Sequence, residues 1–178
     1  RYASELLALI AEDGRFATTC AAFPEGHPEA PDRESDWGHL VGKFAAGACM
    51  ALTQCVFSAA PYRAMLDHLE ARMGARPRVV PGVMPVRSWS WAQDFVARFC
   101  PNTELPPAMR AALAGVDDDP EASAEAGIAY AVDLCRDLLA AGAPGLHIYT
   151  LNKPTTARRI VETLRADGLL APAPTGAS

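Results

Sequence analysis

The sequence has a deficit of positive charge and lacks any long apolar run. Its 178 residues include 16 Lys and Arg against 21 Asp and Glu, which gives a formal net charge of -5 at pH 7. No cluster of basic residues builds a positive stripe, which argues against nucleic acid or an anionic membrane surface as a partner. No stretch of about 18 uncharged apolar residues occurs, so the sequence predicts no membrane span.

Paired cysteine motifs are also missing. The five cysteines are odd in number and contain no C-x-x-C spacing, whereas disulfide frameworks and zinc sites need close, paired spacing. Cysteines inside apolar runs behave as small hydrophobic residues. We therefore expect a reduced cytoplasmic protein without a metal site. The cysteines are Cys20, Cys49, Cys55, Cys100 and Cys135.

Helical and strand patterns alternate along the chain. Short apolar runs predict strands at residues 16–23, 50–57, 78–84 and 145–151, the last of them buried. Apolar residues at helical spacing predict helices near 2–12, 34–46, 62–69, 88–99, 106–114, 119–142 and 157–164. Gly14, Gly47 and Gly142 are positioned to end helices, and Asp119-Pro120 is positioned to begin one.

This alternation predicts an α/β fold with a parallel sheet covered by helices. The pattern leaves two architectures open, a doubly wound sheet and part of a (β/α)8 TIM barrel. No G-x-G-x-x-G follows a strand, which disfavours the dinucleotide-binding version of the first. The length suits one sizeable core, so we predict one domain over residues 1–170 and a flexible tail over 171–178.

Polar or irregular residues follow all four predicted strands, where a barrel enzyme carries its chemistry. His27 lies in a turn held by two prolines and is either exposed or functional. Gln54 ends an apolar run, and its amide binds either the backbone or a ligand. Pro81-Gly82 is either a strand end or a bulge that admits a ligand. The fourth predicted strand ends in the polar segment 149–153.

His147 and Tyr149 alternate along the last strand and therefore share one face. We interpret His147 as a structural histidine. No Ser-His-Asp order, Cys-His pair, P-loop or carboxylate dyad is present. The spacing of the residues alone therefore identifies no reaction.

Five segments, in order and in register from residue 2 to about residue 165, resemble the methylenetetrahydrofolate reductase family. They are Tyr2–Leu6, Ala22–Ala30, Ala46–Ala48 with Leu52–Gln54, Val80–Pro85 and Gly145–Asn152. The resemblance implies a (β/α)8 TIM barrel, of which this chain covers the helix after strand four through strand eight and its final helix.

The resemblance also implies the activity. The family uses FAD and NADH or NADPH to reduce 5,10-methylenetetrahydrofolate to 5-methyltetrahydrofolate in one-carbon metabolism and methionine biosynthesis. Its acidic Glu would lie before Arg1, so no catalytic residue is assigned within this segment. The missing N-terminal half-barrel would be needed, the segment alone is expected to be inactive because four strands cannot close a barrel, and a homo-oligomer is expected.

Two sets of site residues are implied by the resemblance. His27 and Lys43 suit the FAD diphosphate, and Asp36 suits a ribose hydroxyl. The full set for FAD is Ala3, Phe23, His27, Ala30, Asp36, His39, Gly42 and Lys43. The set for the folate substrate or nicotinamide is Gln54, Trp91, Phe95 and Lys153.

Three positions depart from the bacterial pattern of the family. Phe23 stands where Tyr is common, Trp91 replaces a Gln, and Lys153 replaces an Arg beside the folate tail. Lys keeps the charge of Arg but lacks its bidentate geometry. These departures motivate an alternative, a flavin-free or non-catalytic folate-binding member of the same family.

Overall fold

Seven helices and four strands make up the part of the chain that the computed structural model describes, residues 2–116 and 118–171. The strands are β1 (Thr18–Ala22), β2 (Ala48–Val56), β3 (Val79–Val83) and β4 (His147–Ile148). The helices are α1 (Ala3–Asp13), α2 (Arg33–Ala45), α3 (Ala59–Met73), α4 (Trp89–Phe99), α5 (Pro107–Ala112), α6 (Pro120–Ala140) and α7 (Pro154–Ala166). The predicted tail lies outside the described residues from 172 onward.

The four strands form one parallel sheet in the order β1-β2-β3-β4. A doubly wound sheet reverses its strand order at a switch point, whereas a (β/α)8 barrel adds each strand beside the one before it. The sequential order therefore decides between the two predicted architectures. The α/β fold is confirmed, and its arrangement is that of consecutive βα units of a TIM barrel.

Most helices begin and end close to the residues that the sequence predicts. Gly14 follows α1 with φ 69°, a left-handed conformation that glycine adopts without strain. Asp119 begins α6, and its carboxylate accepts hydrogen bonds from the backbone N–H groups of Glu121 and Ala122 at 3.0 and 3.1 Å. These interactions satisfy two of the four free N–H groups at the helix start.

The fourth strand is shorter than predicted. The expectation of a buried strand over residues 145–151 is wrong, because only His147 and Ile148 form the ladder with β3 and both are half-buried. β4 lies at an edge of this sheet. Leu151 and Asn152 then adopt φ values of 46° and 62°, which turn the chain away from the sheet and into α7.

The two faces of β1 differ in burial. Cys20 and Ala22 of β1 are buried in the main core, which also contains residues of α2, α3, α6 and α7. Thr19 and Ala21 alternate with them and are exposed on the other face. In a closed barrel this second face lies inside the barrel, and Thr19 and Ala21 line a groove on it together with Gln54.

Helix α6 fixes the segments that follow β2 and β3. The Tyr130 hydroxyl donates a 2.7 Å hydrogen bond to the carbonyl oxygen of Phe57, directly after β2. Burial raises the pKa of Tyr130 to about 12, so the phenol remains a donor at neutral pH. Near Gly127, the backbone of α6 lies so close to the Val86 carbonyl oxygen that a Cβ on Gly127 would come within 2.0 Å of it.

Membrane spans, metal sites and cysteines were also predicted from the sequence. Within residues 2–116 and 118–171, no helix combines the length and apolar character that crossing a membrane requires. The same residues contain no group of three His, Cys, Asp or Glu side chains arranged to hold a metal ion. Cys49 is exposed and the other four cysteines are buried.

Candidate functional site

The turn after β1 is held from three sides. The Phe23 carbonyl oxygen accepts hydrogen bonds from the Gly26 backbone N–H at 3.0 Å and from the Trp37 indole N–H at 3.2 Å. The Asn102 side-chain amide donates to the Gly26 carbonyl oxygen at 3.2 Å. Gly26 has φ 87°, and a Cβ added to it would lie 3.0 Å from the Cα of Arg33. The turn is therefore a fixed platform between α2 and the loop after α4.

Seven of the eight residues predicted to bind cofactor line one groove of about 720 Å³, here called the helix groove. It lies between the start of α1, the turn after β1 and one face of α2. The eighth residue, Phe23, contacts the groove residue His27 edge to face, with ring centroids 4.8 Å apart. The seven are Ala3, His27, Ala30, Asp36, His39, Gly42 and Lys43.

The helix groove has a flat floor and polar walls. Gly38 and Gly42 are one helical turn apart on α2, and a Cβ on either would meet no atom within 4 Å. The open space beside them can therefore take a ligand that side chains would displace. Asp36 is 7% exposed, and the Lys43 ammonium donates to the carbonyl oxygen of Ala21 at 3.1 Å. A buried carboxylate and an anchored cation thus lie in the same groove.

Gln54 lies on the open face of the sheet, in a groove of about 260 Å³ here called the sheet-face groove. It is half-buried, and its Oε1 accepts a 2.9 Å hydrogen bond from the Cys55 backbone N–H. Among the described residues, no hydrogen bond uses the two donors on its Nε2. The backbone alternative for this amide therefore holds for its oxygen, and the binding of a ligand by its donors stays a prediction.

Opposite Pro81-Gly82, the register between β2 and β3 shifts by one residue, and the extra residue lies on β2 between Leu52 and Cys55. There the Thr53 hydroxyl accepts from the Gly82 backbone N–H at 2.8 Å and donates to the Gln54 carbonyl oxygen at 2.7 Å. The space above Gly82 is filled by the ring of Tyr149, since a Cβ would come within 2.7 Å of Tyr149 Cε2. The close approach at this glycine is made by a side chain of the protein itself.

Tyr149 links two parts of the site. Its hydroxyl donates to the Thr53 carbonyl oxygen at 3.3 Å, and burial raises its pKa. Its ring contacts the His147 ring in a tilted arrangement, with centroids 4.6 Å apart. The predicted shared face of His147 and Tyr149 is therefore confirmed. Tyr149 lines both the sheet-face groove and a second cavity beyond the strand ends.

This second cavity, here called the strand-end cavity, has a volume of about 300 Å³. It brings together Trp91 of α4 and Lys153, two of the four predicted substrate residues. Phe95 lies behind the wall and stacks on Trp91 with ring centroids 5.1 Å apart and planes 24° apart. Gln54 does not line this cavity and is connected to it through Tyr149.

Two residues of the strand-end cavity, Arg87 and Tyr149, are not among the predicted site residues. Arg87 lines the strand-end cavity, and its guanidinium carbon lies 4.9 Å from the centroid of the Trp91 ring. Its position four residues after the end of β3 is the signal that could have identified it. For Tyr149 the sequence predicts the correct face but no role, because its contact with β2 spans 96 residues of sequence.

A titrating carboxyl group lies next to Gln54. Glu25 and Gln54 line one small crevice together with Cys100. Burial raises the pKa of Glu25 to about 7, and the negative charge of Glu104 contributes in the same direction. The carboxyl is therefore partly protonated at neutral pH, unlike an exposed glutamate.

Comparison with known proteins gives a consistent result. The model of the methylenetetrahydrofolate reductase family matches residues 1–165. The chain is 35% identical over 163 residues to 5,10-methylenetetrahydrofolate reductase of Pectobacterium carotovorum subsp. carotovorum, and 34% identical over 163 residues to that of Escherichia coli K12. Each match covers 92% of this chain and 54% of the relative. The chain thus spans about half the length of these bacterial relatives.

A solved structure also resembles the fold. It is an uncharacterized protein from Clostridium thermocellum, described as binding two copies of 5-methyl-5,6,7,8-tetrahydrofolic acid. The TM-score is 0.59 at 14% sequence identity, and the match covers 96% of this chain and 60% of the other. At this identity the likeness concerns the fold alone.

Proposed function

This chain belongs to the methylenetetrahydrofolate reductase family, and we propose on that premise that it serves the reduction of 5,10-methylenetetrahydrofolate to 5-methyltetrahydrofolate. One observation carries the proposal. Residues far apart in the sequence converge on a polar helix groove and, beside it, on the open sheet face. Such an edge of a barrel is where its active site is built.

The helix groove fits FAD by its shape and its donors. Its floor is free of side chains at Gly38 and Gly42, and Lys43 and His27 supply a cation and an imidazole where a diphosphate needs charge compensation. Asp36 supplies a carboxylate acceptor for a ribose hydroxyl. When bound, the flavin supplies hydride transfer from NADH or NADPH to the folate.

The substrate would be held on the other side of Phe23. The Nε2 donors of Gln54, which make no hydrogen bond within residues 2–116 and 118–171, suit hydrogen bonds to the polar edge of a folate ring. Trp91 and Phe95 offer a stacked aromatic pair for the substrate or for nicotinamide. Lys153 supplies a cation for the folate tail. In this arrangement Gln54 binds the ring of the folate, and Lys153 binds its tail.

We propose that the complete reaction also uses groups from outside these 178 residues. We propose that a second half-barrel covers the open sheet face, supplies the acidic Glu and completes a homo-oligomeric enzyme of one-carbon metabolism and methionine biosynthesis. The exposure of Thr19 and Ala21 inside the curve of the sheet, and of Leu6 and Leu9 on α1 at 58% and 65%, supports this. The 178 residues by themselves would then be inactive.

The direct test of function is the colour and turnover of the full-length protein. We expect a yellow preparation that bleaches when NADH or NADPH is added without oxygen, and regains its colour when methylenetetrahydrofolate follows. A colourless preparation that still reduces the folate would replace flavin chemistry by direct hydride transfer. Folate binding without any reduction would reject the enzymatic proposal.

The proposed flavin site predicts the effect of filling the helix groove. Gly42→Leu places a branched side chain in open space next to Lys43, so we expect flavin affinity to fall at least about tenfold. Leu is a good helix former, so the thermal stability of the flavin-free protein should not decrease. Flavin released on denaturation, measured per protein chain by absorbance, checks the prediction.

A matched control is available on the same helix. Ala45 is exposed on α2 and does not line the helix groove, so Ala45→Leu makes a comparable addition away from the proposed flavin. We expect this variant to retain the flavin content of the unmodified protein. If Gly42→Leu also retained it, the flavin would have to bind elsewhere.

A further inference from the structure

Glu25 shares a crevice with Gln54 but has no part in the site described so far. It belongs to the turn after β1, which hydrogen bonds from Trp37 and Asn102 hold in place. The crevice has a volume of about 20 Å³, which is enough for one water molecule and too little for a ligand. Its size brings Glu25 and Gln54 within reach of a direct hydrogen bond or of one bridging water.

Gln54 lies at the boundary between this crevice and the sheet-face groove, because it lines both. Its Oε1 accepts from the Cys55 backbone N–H, and within residues 2–116 and 118–171 no hydrogen bond uses its Nε2 donors. A carboxylate only accepts hydrogen bonds, whereas a neutral carboxylic acid also donates one. The charge of Glu25 therefore decides whether the crevice competes with a ligand for these donors.

The charged and titratable groups that face Glu25 come from different elements. Glu104 of the loop after α4 and Arg33 of α2 line an outer cavity of about 580 Å³ together with Glu25. Cys55 of β2 and Cys100 directly after α4 lie on the inner side, where both thiols are within range of its charge. The lining of the crevice includes no Lys, Arg or His. Among the described residues, no cation lies within 4 Å of the Glu25 carboxylate.

These surroundings keep Glu25 close to its titration midpoint at neutral pH. Burial raises its pKa to about 7; its own backbone N–H opposes this shift, and the charge of Glu104 adds to it. A raised carboxyl pKa means that the neutral acid predominates below about pH 7 and the carboxylate above it. Arg33 and Glu104 are exposed, so the outer cavity communicates with solvent and lets the carboxyl exchange its proton.

We propose that Glu25 is a positioning residue for Gln54: the carboxylate draws the Nε2 donors into the crevice, and the neutral acid leaves them to the folate ring. This inference rests on the proposed function. Recognition of the folate ring then weakens as the pH rises through about 7, because the carboxylate accepts the hydrogen bond that the substrate would otherwise accept.

The test compares the pH dependence of kcat/KM for methylenetetrahydrofolate in the full-length protein and in Glu25→Gln. Gln matches Glu in size and stays neutral at every pH. We expect the ratio of the variant's kcat/KM to that of the unmodified protein to rise about fivefold between about pH 6 and about pH 8.5, the effect of one hydrogen bond. The ratio cancels the titration of groups that both proteins share. Flavin content should stay within about twofold.

Two further variants separate this role from a structural one. Glu104→Gln removes the like charge next to Glu25, so the fall of kcat/KM should move to lower pH by about 0.3. In a Gln54→Ala background, Glu25→Gln should leave the pH dependence unchanged, because the group through which Glu25 acts is then absent. If Glu25→Gln does not fold, an unshifted pH profile of Glu104→Gln overturns the inference.

A matched control is available on α7. Glu162 is exposed and lines neither the crevice nor the outer cavity, so Glu162→Gln should keep the pH profile of the unmodified protein. A ratio for Glu25→Gln that stays constant with pH, or the same rise in the Gln54→Ala background, would overturn the inference while leaving the reductase intact. No turnover by the unmodified protein at any pH would instead overturn the proposed function and the inference with it.

Discussion

Gly127→Ala should destabilise the protein by about 3 kcal/mol or prevent folding, the upper range for overpacking a core. The added Cβ would come within 2.0 Å of the Val86 carbonyl oxygen and 3.0 Å of its carbonyl carbon. Both are backbone atoms, so no side-chain rotation relieves the overlap. Either α6 or the loop after β3 must move, and both contribute to the strand-end cavity. Urea unfolding of the full-length protein measures the change in the free energy of unfolding.

The expected sign is opposite to that of helix propensity. Alanine is favoured over glycine in a helix by about 1 kcal/mol, so Gly127→Ala would be stabilising if space were available. Ala129 is exposed on the same helix, and Ala129→Gly measures the propensity contribution there as a loss of about 1 kcal/mol. A gain of similar size for Gly127→Ala would show that α6 and the Val86 backbone are not in contact.

Gln54→Ala should lower kcat/KM for methylenetetrahydrofolate about 100-fold, which corresponds to about 2.7 kcal/mol of transition-state stabilisation. The variant removes the Nε2 donors proposed to bind the folate ring. Flavin content should stay within about twofold, because Gln54 does not line the helix groove. Steady-state kinetics and flavin absorbance on the same preparations provide the two measurements.

Gln54→Glu distinguishes ring recognition from support of the backbone. Glu keeps a side-chain oxygen that can accept from the Cys55 N–H but presents a second acceptor where Gln has donors. We expect its loss of turnover to equal or exceed that of Gln54→Ala while its stability falls less. Gln93 is exposed on α4, and Gln93→Ala should behave like the unmodified protein. Parallel loss of flavin and turnover in Gln54→Ala would remove the proposed role.

The element types followed from local sequence because their causes are local. Asp119 satisfies the first N–H groups of α6, and Gly14 allows the left-handed residue that ends α1. Apolar runs predicted the strand positions to within a few residues for β1, β2 and β3. β4 was predicted too long, because the turn at Leu151 and Asn152 depends on left-handed backbone at non-glycine residues, which an apolar pattern does not encode.

The family resemblance implied a set of site residues, and the fold brings most of the cofactor set together. Seven of the eight predicted cofactor positions line one groove because they lie on α1, on α2 or in the turn between β1 and α2, which are adjacent in space. Arg87 could not be assigned in this way. Its partners Trp91 and Lys153 come from the start of α4 and from the segment after β4.

The sequence by itself determined the α/β alternation, the parallel sheet and the family, since these depend on local periodicity and on motifs kept in register. Only the tertiary structure decided which architecture the strands adopt, that Tyr149 fills the space above Gly82, and that Arg87 and Lys153 share one cavity. Those features depend on contacts between residues tens of positions apart. Their distances are set by how α6 and the sheet pack, which no local pattern specifies.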